Sequence, residues 1–583
     1  MVSEAMNDVG AKARVRSAAG YETRRVAGTD IAARGEPALW MLGGTLALGV
    51  LMIAGFLLLI VWNGALAFWP RPIEVMQLSN GKIIAGEPRR TESFRPPETV
   101  VSSLSQEQQA AIHASGGFAE RTLYRTGNYD LYNEDFAWIA HYERAAITLP
   151  RDIMLFERLE WGPFIGRIHG LVLNGVEHSA AEVNTSDLAR LHDQARERWN
   201  RIRRIEHGDI GAVNRQIENR RLALRKIGLE SGFQSERYHA VEAETATEIA
   251  ALQPQYQALA DEAGRLKAED AKTQIVLADV NGTTKSLPLS AIVRMYPAND
   301  LGALGRLQVY LSRWWEFLTS EPREANTEGG VWPAIFGTAA MTLLLVVLVA
   351  PFGIITALYL REYARQGRLV SIVRISVNNL AGVPSIVYGV FGLGFFAYFI
   401  GGSIDRLFYP ERLPNPTFGT GGLLWSSLTL ALLTVPVVIV ATEEALAAVP
   451  RSMREGALAC GASKWQTIRT IVLPRALPGI LTGVILAMAR GAGEVAPLML
   501  VGVVKLAPEL PIDGVFPFIH LERSFMHLGF HIYDVGFQSR NSEAGKPMVF
   551  MTTLLLIVLI FTMNIAAIII RNRLKRRYAA GQF

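Results

Sequence analysis

The sequence predicts a membrane α-helical protein whose six spans carry one inserted α+β domain outside the membrane. Each of six apolar runs comes near the roughly 20 residues that a helix needs to cross a bilayer. They lie at 39–62, 331–360, 375–400, 423–440, 480–504 and 548–570. A long, mostly polar stretch, 70–325, separates the first two runs. Lysine and arginine concentrate in alternate short loops, which predicts that those loops face the cytoplasm.

Both ends of the chain are basic. Residues 1–37 are polar and arginine-rich, so we predict a cytoplasmic N-terminal tail. The first transmembrane helix, at 38–62, is too long and starts too late for a cleaved signal peptide. Five basic residues between 571 and 577 hold the C-terminal end, 578–583, inside. The prediction is a multi-pass protein with both termini in the cytoplasm.

The stretch 70–325 is predicted to form the external α+β domain. The turns Asn80-Gly81 and Asn281-Gly282 each mark a β-hairpin, and we expect the strands to close a single sheet. Apolar residues at a spacing of three to four predict an antiparallel helical hairpin at about 188–267, kinked at Pro254. An amphipathic helix at 301–318 then leads back to the membrane.

Composition excludes several classes of function. The net charge is +5, but the basic excess lies beside the spans, so it reports topology and not nucleic-acid binding. Cys460 is the one cysteine, so no intrachain disulfide is possible. The sequence has no metal-ligand spacing, no nucleophile–base pair and no GxxxxGK[ST] loop. We therefore expect no enzymatic activity, metal or cofactor in this chain.

The loop 442–478, between the fourth and fifth spans, is short, basic and helix-prone. Good helix formers at 452–462 predict a short helix that ends at Gly461, because glycine suits a helix terminus. We expect a bend at Gly461–Ala462 and a second helix that enters the membrane past Pro474, since proline cannot lie inside a hydrogen-bonded helix. Small residues make one side flat, which favours close approach of a partner.

Two polar stretches lie at membrane depth. Arg490 and Glu494 are four residues apart in an apolar run, so they can pair on one helix face. Each would cost about 3 kcal/mol or more if unpaired at the bilayer centre, so both should face the bundle interior. The stretch 374–389 adds three polar residues that are tolerated only against protein or water: Asn378, Asn379 and Ser385.

The loop carries a family resemblance. Glu455-Gly456-Ala457, followed after three residues by Gly461 and after nine more by Ile471-Val472-Leu473-Pro474, is similar to the EAA motif of bacterial ABC-importer permeases. In that family this loop is the coupling helix, which sits in a cleft of the ATPase subunit. The resemblance therefore implies that the following residues couple to an ATPase: Glu455, Gly456, Ala457, Gly461, Ala462, Leu473 and Pro474.

A second resemblance narrows the family. Residues 374–389, 490–502 and the whole of 329–577 resemble the PstA-type permeases of bacterial phosphate importers, while 70–325 resembles them much less. The resemblance implies a six-helix, type I ABC-importer permease core in the bacterial inner membrane, with phosphate as substrate. The implied partners are a PstC-like permease, a PstB-like ATPase dimer holding the ATP and magnesium, a periplasmic phosphate-binding protein and membrane lipid.

Several alternatives stay open at this level. The chain could serve another oxyanion, such as sulfate, molybdate or phosphonate. A transmembrane sensor would need a cytoplasmic output module, and no cytoplasmic segment exceeds about 40 residues on the predicted topology. Arg490 and Glu494 have two interpretations. Together with Asn378, Asn379 and Ser385 they line a substrate path, or they form a structural lock between spans.

Overall fold

The computed structural model describes residues 36–182, 184–507, 509–514, 516–539 and 542–579. Most of the predicted N-terminal tail, 1–37, and residues 580–583 of the predicted C-terminal end lie outside this range. The chain divides into two compact units, Met1–Trp62 and Asn63–Phe583. The second unit contains both the α+β region and the bundle of later spans.

The described residues contain six helices long and apolar enough to cross a membrane, which confirms the predicted number. Their bounds are Trp40–Leu66, Trp332–Tyr363, Ser385–Phe408, Leu423–Ala447, Lys464–Gly493 and Ser542–Arg576. The longer helices are α1 (Glu36–Leu66), α9 (Trp332–Leu358), α13 (Leu423–Ala447), α16 (Leu473–Gly493) and α19 (Ser542–Ala579).

The prediction for the start of the third span was wrong. Helix α10 (Arg368–Leu380) is a separate amphipathic helix, and the span starts with α11 (Ser385–Phe391), passes a π-helical stretch, Gly392–Gly401, and ends with α12 (Gly402–Phe408). Proline restricts the residue before it and has no N–H to donate, so Pro384 starts a new helix instead of extending the previous one. The apolar run 375–400 includes the end of α10 and the start of α11, so hydropathy did not show the break between them.

The end of the fifth span also differs from the prediction. Its helix stops at Gly493, and Glu494 is extended, with φ −78° and ψ 136°. After a turn containing Pro497 comes the single-turn helix α17 (Leu498–Val501). The apolar run continued to 504 because this turn is buried in the bundle, so hydropathy alone could not show where the helix ends.

Residues 70–325, which the predicted topology places outside the membrane and which we call the external region, contain two main antiparallel sheets, so the prediction of one sheet was wrong. A five-stranded sheet has the order β4-β3-β2-β1-β5, and a six-stranded sheet has the order β10-β9-β7-β6-β11, with β8 paired to β7. The strands are β1 (Glu74–Leu78), β2 (Ile83–Phe94), β3 (Ala119–Arg125), β4 (Phe136–Ala140), β5 (Arg144–Thr148), β6 (Met154–Arg158), β7 (Phe164–Leu173), β8 (Val176–Ser179), β9 (Thr273–Ala278), β10 (Thr284–Pro288) and β11 (Ile292–Pro297). A small ribbon pairs β12 (Pro322–Arg323) with β13 (Glu328–Gly329).

Both predicted hairpins are confirmed. Strands β1 and β2 pair around Gly81, and β9 and β10 pair around Gly282. Gly81 has a φ of +83° and Gly282 a φ of +85°, a region that residues with a Cβ rarely adopt. These turns place β9 beside β7 in the second sheet.

A helical arm leaves the six-stranded sheet between β8 and β9. It consists of α5 (Thr185–Arg203), a π-helical turn at Arg204–Asp209, α6 (Ile210–Ser231) and the antiparallel α7 (Glu236–Asp270). The predicted seam of α7 is confirmed, because its apolar residues are buried or half-buried. Pro254 lies inside α7 without ending it.

Short helices complete the fold. In the external region they are α2 (Glu98–Val101), α3 (Gln106–Ala114), α4 (Tyr129–Tyr132) and α8 (Ala303–Thr319); in the bundle they are α14 (Arg451–Ala459), α15 (Lys464–Thr467) and α18 (Leu528–Tyr533). The bundle core lies between α9, α13 and α16. A side chain at Gly353 would collide with Val438, and one at Gly483 with Ala441, so glycine lets these helices pack closely.

Candidate functional site

The loop after α13 forms a compact exposed helix. Helix α14 ends in a Schellman motif: the Ala462 N–H donates to the Ala457 carbonyl at 3.1 Å and the Gly461 N–H to the Leu458 carbonyl at 3.0 Å. Gly461 has φ +84°. The predicted bend is therefore present, although α14 itself ends at Ala459 and Ala462 lies beyond it.

The next helix starts in the same turn. The Ser463 side chain accepts from the Gln466 N–H, and the Gln466 side chain accepts from the Ser463 N–H, which is a capping box. From Lys464 the chain continues as one helical span through a π-helical stretch, Ile468–Val472. The predicted second helix is therefore present, but the expectation that Pro474 would not lie within it was wrong, because proline is tolerated in the first turn after this stretch.

One face of α14 is free of the rest of the chain. Glu455 and Gly456 are exposed on it, and Ala457 is half-buried. Two large apolar side chains, Leu458 and Trp465, are also exposed beside them. Sequence reasoning missed these two, although isolated apolar residues in an otherwise basic loop are a signal for a contact surface.

A second missed feature attaches α14 to the bundle. Arg454 donates to the carbonyls of Leu446 and Val449 at 2.7 and 2.6 Å, which caps the end of α13. Its other contact is Glu362, at 2.9 Å, at the C-terminal end of the second span. Arg454 thus links α14 to both the second and the fourth span.

The remaining motif residues have structural surroundings. Leu473 packs against a buried cluster formed by Leu446, Val449, Val472, Ala476 and Ile480. Pro474 lies in the first turn of α16 and is half-buried. These residues fix the first turn of α16 against the end of α13.

Arg490 and Glu494 approach each other at the C-terminal end of α16. Arg490 Nε lies 3.8 Å from Glu494 Oε1, although Glu494 is already outside the helix. The Arg490 side chain is 39% exposed. It is therefore not enclosed by this chain alone, in contrast to the expectation that both charges would face the interior of the bundle.

The glycines beside the pair have different surroundings. A side chain at Gly491 would meet Leu345 of α9, whereas a side chain at Gly493 would meet nothing within 4 Å. Just beyond the pair, Pro497 packs so closely on Gly389 of α11 that a side chain there would collide with it. The turn that follows the fifth span is thus packed against the first helix of the third span.

The polar stretch before the third span lies on two elements. Asn378 and Asn379 are exposed on α10, and Ser385 is half-buried at the first position of α11. Tyr388 Oη donates to the Leu380 carbonyl at 2.6 Å, which holds the two helices together across the break. The break therefore has a defined geometry.

Asn378 shares a cavity of about 190 Å³ with a second ion pair. In it, Arg374 Nε lies 3.3 Å from Glu443 Oε1 of α13. Arg490 and Glu494 are not among the residues that line this cavity. Of the predicted path residues, Asn378 lines this cavity, and Asn379 and Ser385 do not.

Within the described residues, no group of three or more histidine, cysteine, aspartate or glutamate side chains is arranged to hold a metal ion. Cys460 is a free, exposed thiol next to Gly461. Apart from charged pairs, the site consists of backbone caps and apolar surface, an arrangement suited to docking and to guiding an ion.

Comparison with known proteins points to one family. Residues 349–576 match the family described as binding-protein-dependent transport system inner membrane component. The phosphate transport system permease protein PstA 1 of Mycobacterium tuberculosis is 34% identical over 276 residues, 47% of this chain and 81% of that protein. The probable ABC transporter permease protein YqgH of Bacillus subtilis is 36% identical over 204 residues, 34% of this chain and 62% of that protein, less than two thirds of its length.

The search of solved structures gives matches of low similarity. An inward-facing structure of the MetNI methionine ABC transporter has 18% sequence identity and a TM-score of 0.29, covering 42% of this chain and 97% of that chain. A bacterial ABC transporter for the polysaccharide alginate has 15% identity and a TM-score of 0.33, covering 45% and 83%. The family assignment rests on the sequence relatives.

Proposed function

The chain belongs to the PstA family of phosphate transport system permeases, and on this premise we propose that it is one of two permease subunits of an ATP-driven phosphate importer. It forms half of the translocation path and does not hydrolyse ATP. The energy comes from a separate ATPase dimer of the PstB type, which holds the ATP and magnesium, so this chain needs no cofactor.

The observation that carries the proposal is the coupling helix α14. Its exposed face, with Glu455, Gly456 and Leu458, is free to enter a groove, and Trp465 of the next helix, α15, is exposed as well. Its other side is tied to two spans through Arg454. A helix that is exposed on one face and firmly attached on the other converts movement of a docked subunit into movement of the spans.

The path is proposed to run past Arg490. A guanidinium offers a planar fork of donors to phosphate oxygens. With 39% of its side chain uncovered, Arg490 is available to a space completed by a PstC-like permease. Glu494, at 3.8 Å, competes for the guanidinium and keeps the anion from being held permanently. Asn378, Asn379 and Ser385 are proposed to contact the anion nearer the cytoplasm.

The external region is proposed to face the periplasm and to contact the phosphate-binding protein. Its helical arm, α5 to α7, contains enough residues to reach far from its root, since a helix rises about 1.5 Å per residue. The remaining surface of the spans contacts membrane lipid, and we propose no role in nucleic-acid binding. The chain is then a multi-pass inner-membrane protein with both termini in the cytoplasm.

The proposal is tested by reconstitution. The protein is co-purified with a PstC-like permease and a PstB-like ATPase, placed in proteoliposomes with the binding protein, and assayed for ATP-dependent uptake of radiolabelled phosphate. We expect uptake that excess sulfate, molybdate or phosphonate does not compete away. Competition by one of these anions would assign the chain to that anion instead, and failure of an ATPase to co-purify would contradict the coupling role.

The topology has its own test. In a Cys460→Ser background, a Glu230→Cys variant places one thiol at the far end of α6. We expect a membrane-impermeant maleimide to label it once the outer membrane is permeabilised. A matched thiol, Cys460 in the wild-type chain, should be labelled only after the inner membrane is lysed. The reverse pattern would invert the topology.

A further inference from the structure

Helix α8 exposes an apolar stripe along its length. Leu304, Leu307, Leu311 and Trp315 follow a spacing of three, four and four residues, which puts them on one face of the helix. Leu304 is 80%, Leu311 57% and Trp315 71% exposed. A soluble domain does not normally leave such a continuous apolar face uncovered.

The opposite face of α8 is fixed in the protein. Val309 and Phe317 are buried. Arg313 contacts Glu157 at 2.6 Å and also donates to the Phe68 carbonyl at 2.9 Å. Because these contacts hold the helix from behind, it cannot rotate to bury its leucines against its own domain.

The same helix is joined to the points where the chain enters and leaves the membrane. Phe68, two residues after the end of α1, makes edge contacts with Trp314 and Phe317 at ring distances of 5.4 and 5.5 Å. The Phe317 carbonyl accepts from the Val331 N–H, next to the first residue of α9. The C-terminal half of α8 therefore lies at the outer end of the spans.

Aromatic residues gather at this level. Trp69 packs on Tyr310 with ring centroids 5.6 Å apart, and Trp332 opens the second span. With Trp314 and Trp315, these are four tryptophans on α8 and on the two segments that contact it. Tryptophan and tyrosine favour the boundary between lipid tails and water, where the ring is apolar and the N–H or O–H is solvated.

We propose that α8 lies flat in the outer leaflet of the membrane, with Leu304, Leu307, Leu311 and Trp315 inserted among the lipids. A helix with one apolar face and one polar face, lying in the interface plane, is a known mode of membrane attachment. The occupant is lipid because the stripe adjoins the spans through Phe68 and Val331. The helix then sets the height and orientation of the external region above the transport path.

The test uses one fluorescent label at a time. In a Cys460→Ser background, Leu311→Cys is labelled with NBD in the full-length protein, and any partner subunits are cysteine-free. The protein is placed in nanodiscs of phosphatidylethanolamine and phosphatidylglycerol. Brominated lipids quench a label within the bilayer, whereas iodide quenches a label in water. Trp315→Cys serves as a second position on the stripe if Leu311→Cys is poorly inserted.

Two matched positions provide controls. Leu229→Cys replaces a leucine at the far end of α6, whose side chain is 47% exposed, close to the 57% of Leu311. Ser312→Cys lies on the polar margin of α8 itself, where the residue is exposed. We expect brominated lipids to remove most of the emission at position 311 and none at 229, iodide to do the reverse, and position 312 to respond to both.

Two results would overturn the proposal. If iodide quenches the label at position 311 as strongly as it quenches the label at position 229, the stripe is in water. Protection from both quenchers would mean that protein covers it, either a partner subunit or a second copy. Neither measurement involves phosphate or ATP, so a failure here is separate from a failure of the proposed transport function.

Discussion

At the scale of single residues, Gly461 shows how a backbone requirement becomes functional. Its φ of +84° lets α14 end and turn within two residues, so that α15 can start at Lys464. A residue with a Cβ in this region costs about 1–2 kcal/mol. The cost falls on the docking helix, because no other part of the described chain supports its exposed face.

We predict that Gly461→Val leaves the protein in the membrane but uncouples ATP hydrolysis from phosphate uptake. Valine disfavours positive φ, and its branched side chain crowds the docking groove. Gly461→Asn is the matched control, because asparagine adopts the left-handed region more readily. The measurement is uptake per ATP hydrolysed in proteoliposomes. Normal coupling in the valine variant, or equal defects in both variants, would show that the conformation of residue 461 is not what matters.

Arg490 is the charge that we propose binds the anion on the transport path. We predict that Arg490→Gln abolishes phosphate uptake without loss of complex assembly. Arg490→Lys should stay impaired, because an ammonium does not reproduce the bidentate fork. Glu494→Gln should be milder, since the anion-binding charge remains. Arg475→Gln, an exposed arginine at the inner end of the same helix, is the control and should transport normally.

The structural-lock interpretation makes the opposite prediction for the same variants. If the 3.8 Å contact between Arg490 and Glu494 only holds the end of the fifth span, each single substitution should impair assembly. The double variant, with both charges removed, should then recover it. Assembly is measured by co-purification of the partner subunits, separately from uptake, so the two interpretations are distinguished in one series.

At the scale of elements, the helical arm is connected to the external face of the bundle. Arg215 of α6 contacts Glu509 at 2.9 Å. Glu509 also contacts Arg523 at 2.8 Å, and Arg523 contacts Asp513 at 2.6 Å. A row of ion pairs thus links the arm to the segment that follows the fifth span, which is the segment nearest Arg490 in sequence.

We predict that Arg215→Ala loosens the external segment around 509–523 without unfolding the arm. An exposed ion pair contributes roughly 1 kcal/mol or less, so amide hydrogen exchange there should rise by a small factor. Arg220→Ala, which removes a contact with Glu248 within the arm, should leave that exchange unchanged. Equal effects of both substitutions would mean that the arm does not restrain the segment.

At the scale of the whole molecule, buried charges of the external region gather at its joint with α19. A cavity of about 110 Å³ is lined by Arg71, Arg89, Arg125, Arg313 and Arg323, together with Glu87, Glu157, Glu316 and Glu328. Residues from the start of the external region and from α19 line the same cavity. Breaking one buried pair leaves its partner uncompensated, which is strongly destabilising. The pairs at this joint therefore stabilise the part of the external region that lies against α19.

The joint predicts how stability depends on pH. Burial alone would raise the pKa of Glu157, but Arg313 and Arg294 outweigh it and lower this pKa to about 2, from 4.5. A carboxyl whose pKa is lower in the folded state stabilises the fold above its unfolded pKa. That contribution is present above pH 4.5 and is lost as the pH falls toward 2.

We therefore expect the thermal unfolding midpoint of the wild-type protein to fall on acidification below pH 4.5. Glu157→Gln should lower the midpoint at neutral pH and flatten its dependence on pH in this window. Glu177→Gln, at an exposed position of β8, is the control and should retain the wild-type profile. An unchanged profile in Glu157→Gln would show that Glu157 does not contribute this stability.

Local chemistry was enough to predict the six spans, the two hairpin turns and the bend at Gly461. Hydropathy, turn preferences and positive φ belong to short segments, so each is visible in a window of a few residues. Other features could not be predicted in this way. The third span starts at Ser385 and the fifth ends at Gly493, because helix ends depend on which backbone groups neighbouring elements can bury.

The tertiary structure decided the contacts between distant residues. Arg454 meets Glu362, Arg215 meets Glu509 and Arg313 meets Glu157, yet nothing in the sequence pairs these charges. An ion pair depends on separations of a few ångströms, which only packing determines. The stripe of α8 shows the same limit. Its periodicity revealed an amphipathic helix, but only the folded chain shows that the leucines point away from the protein, since burial is a property of the whole structure.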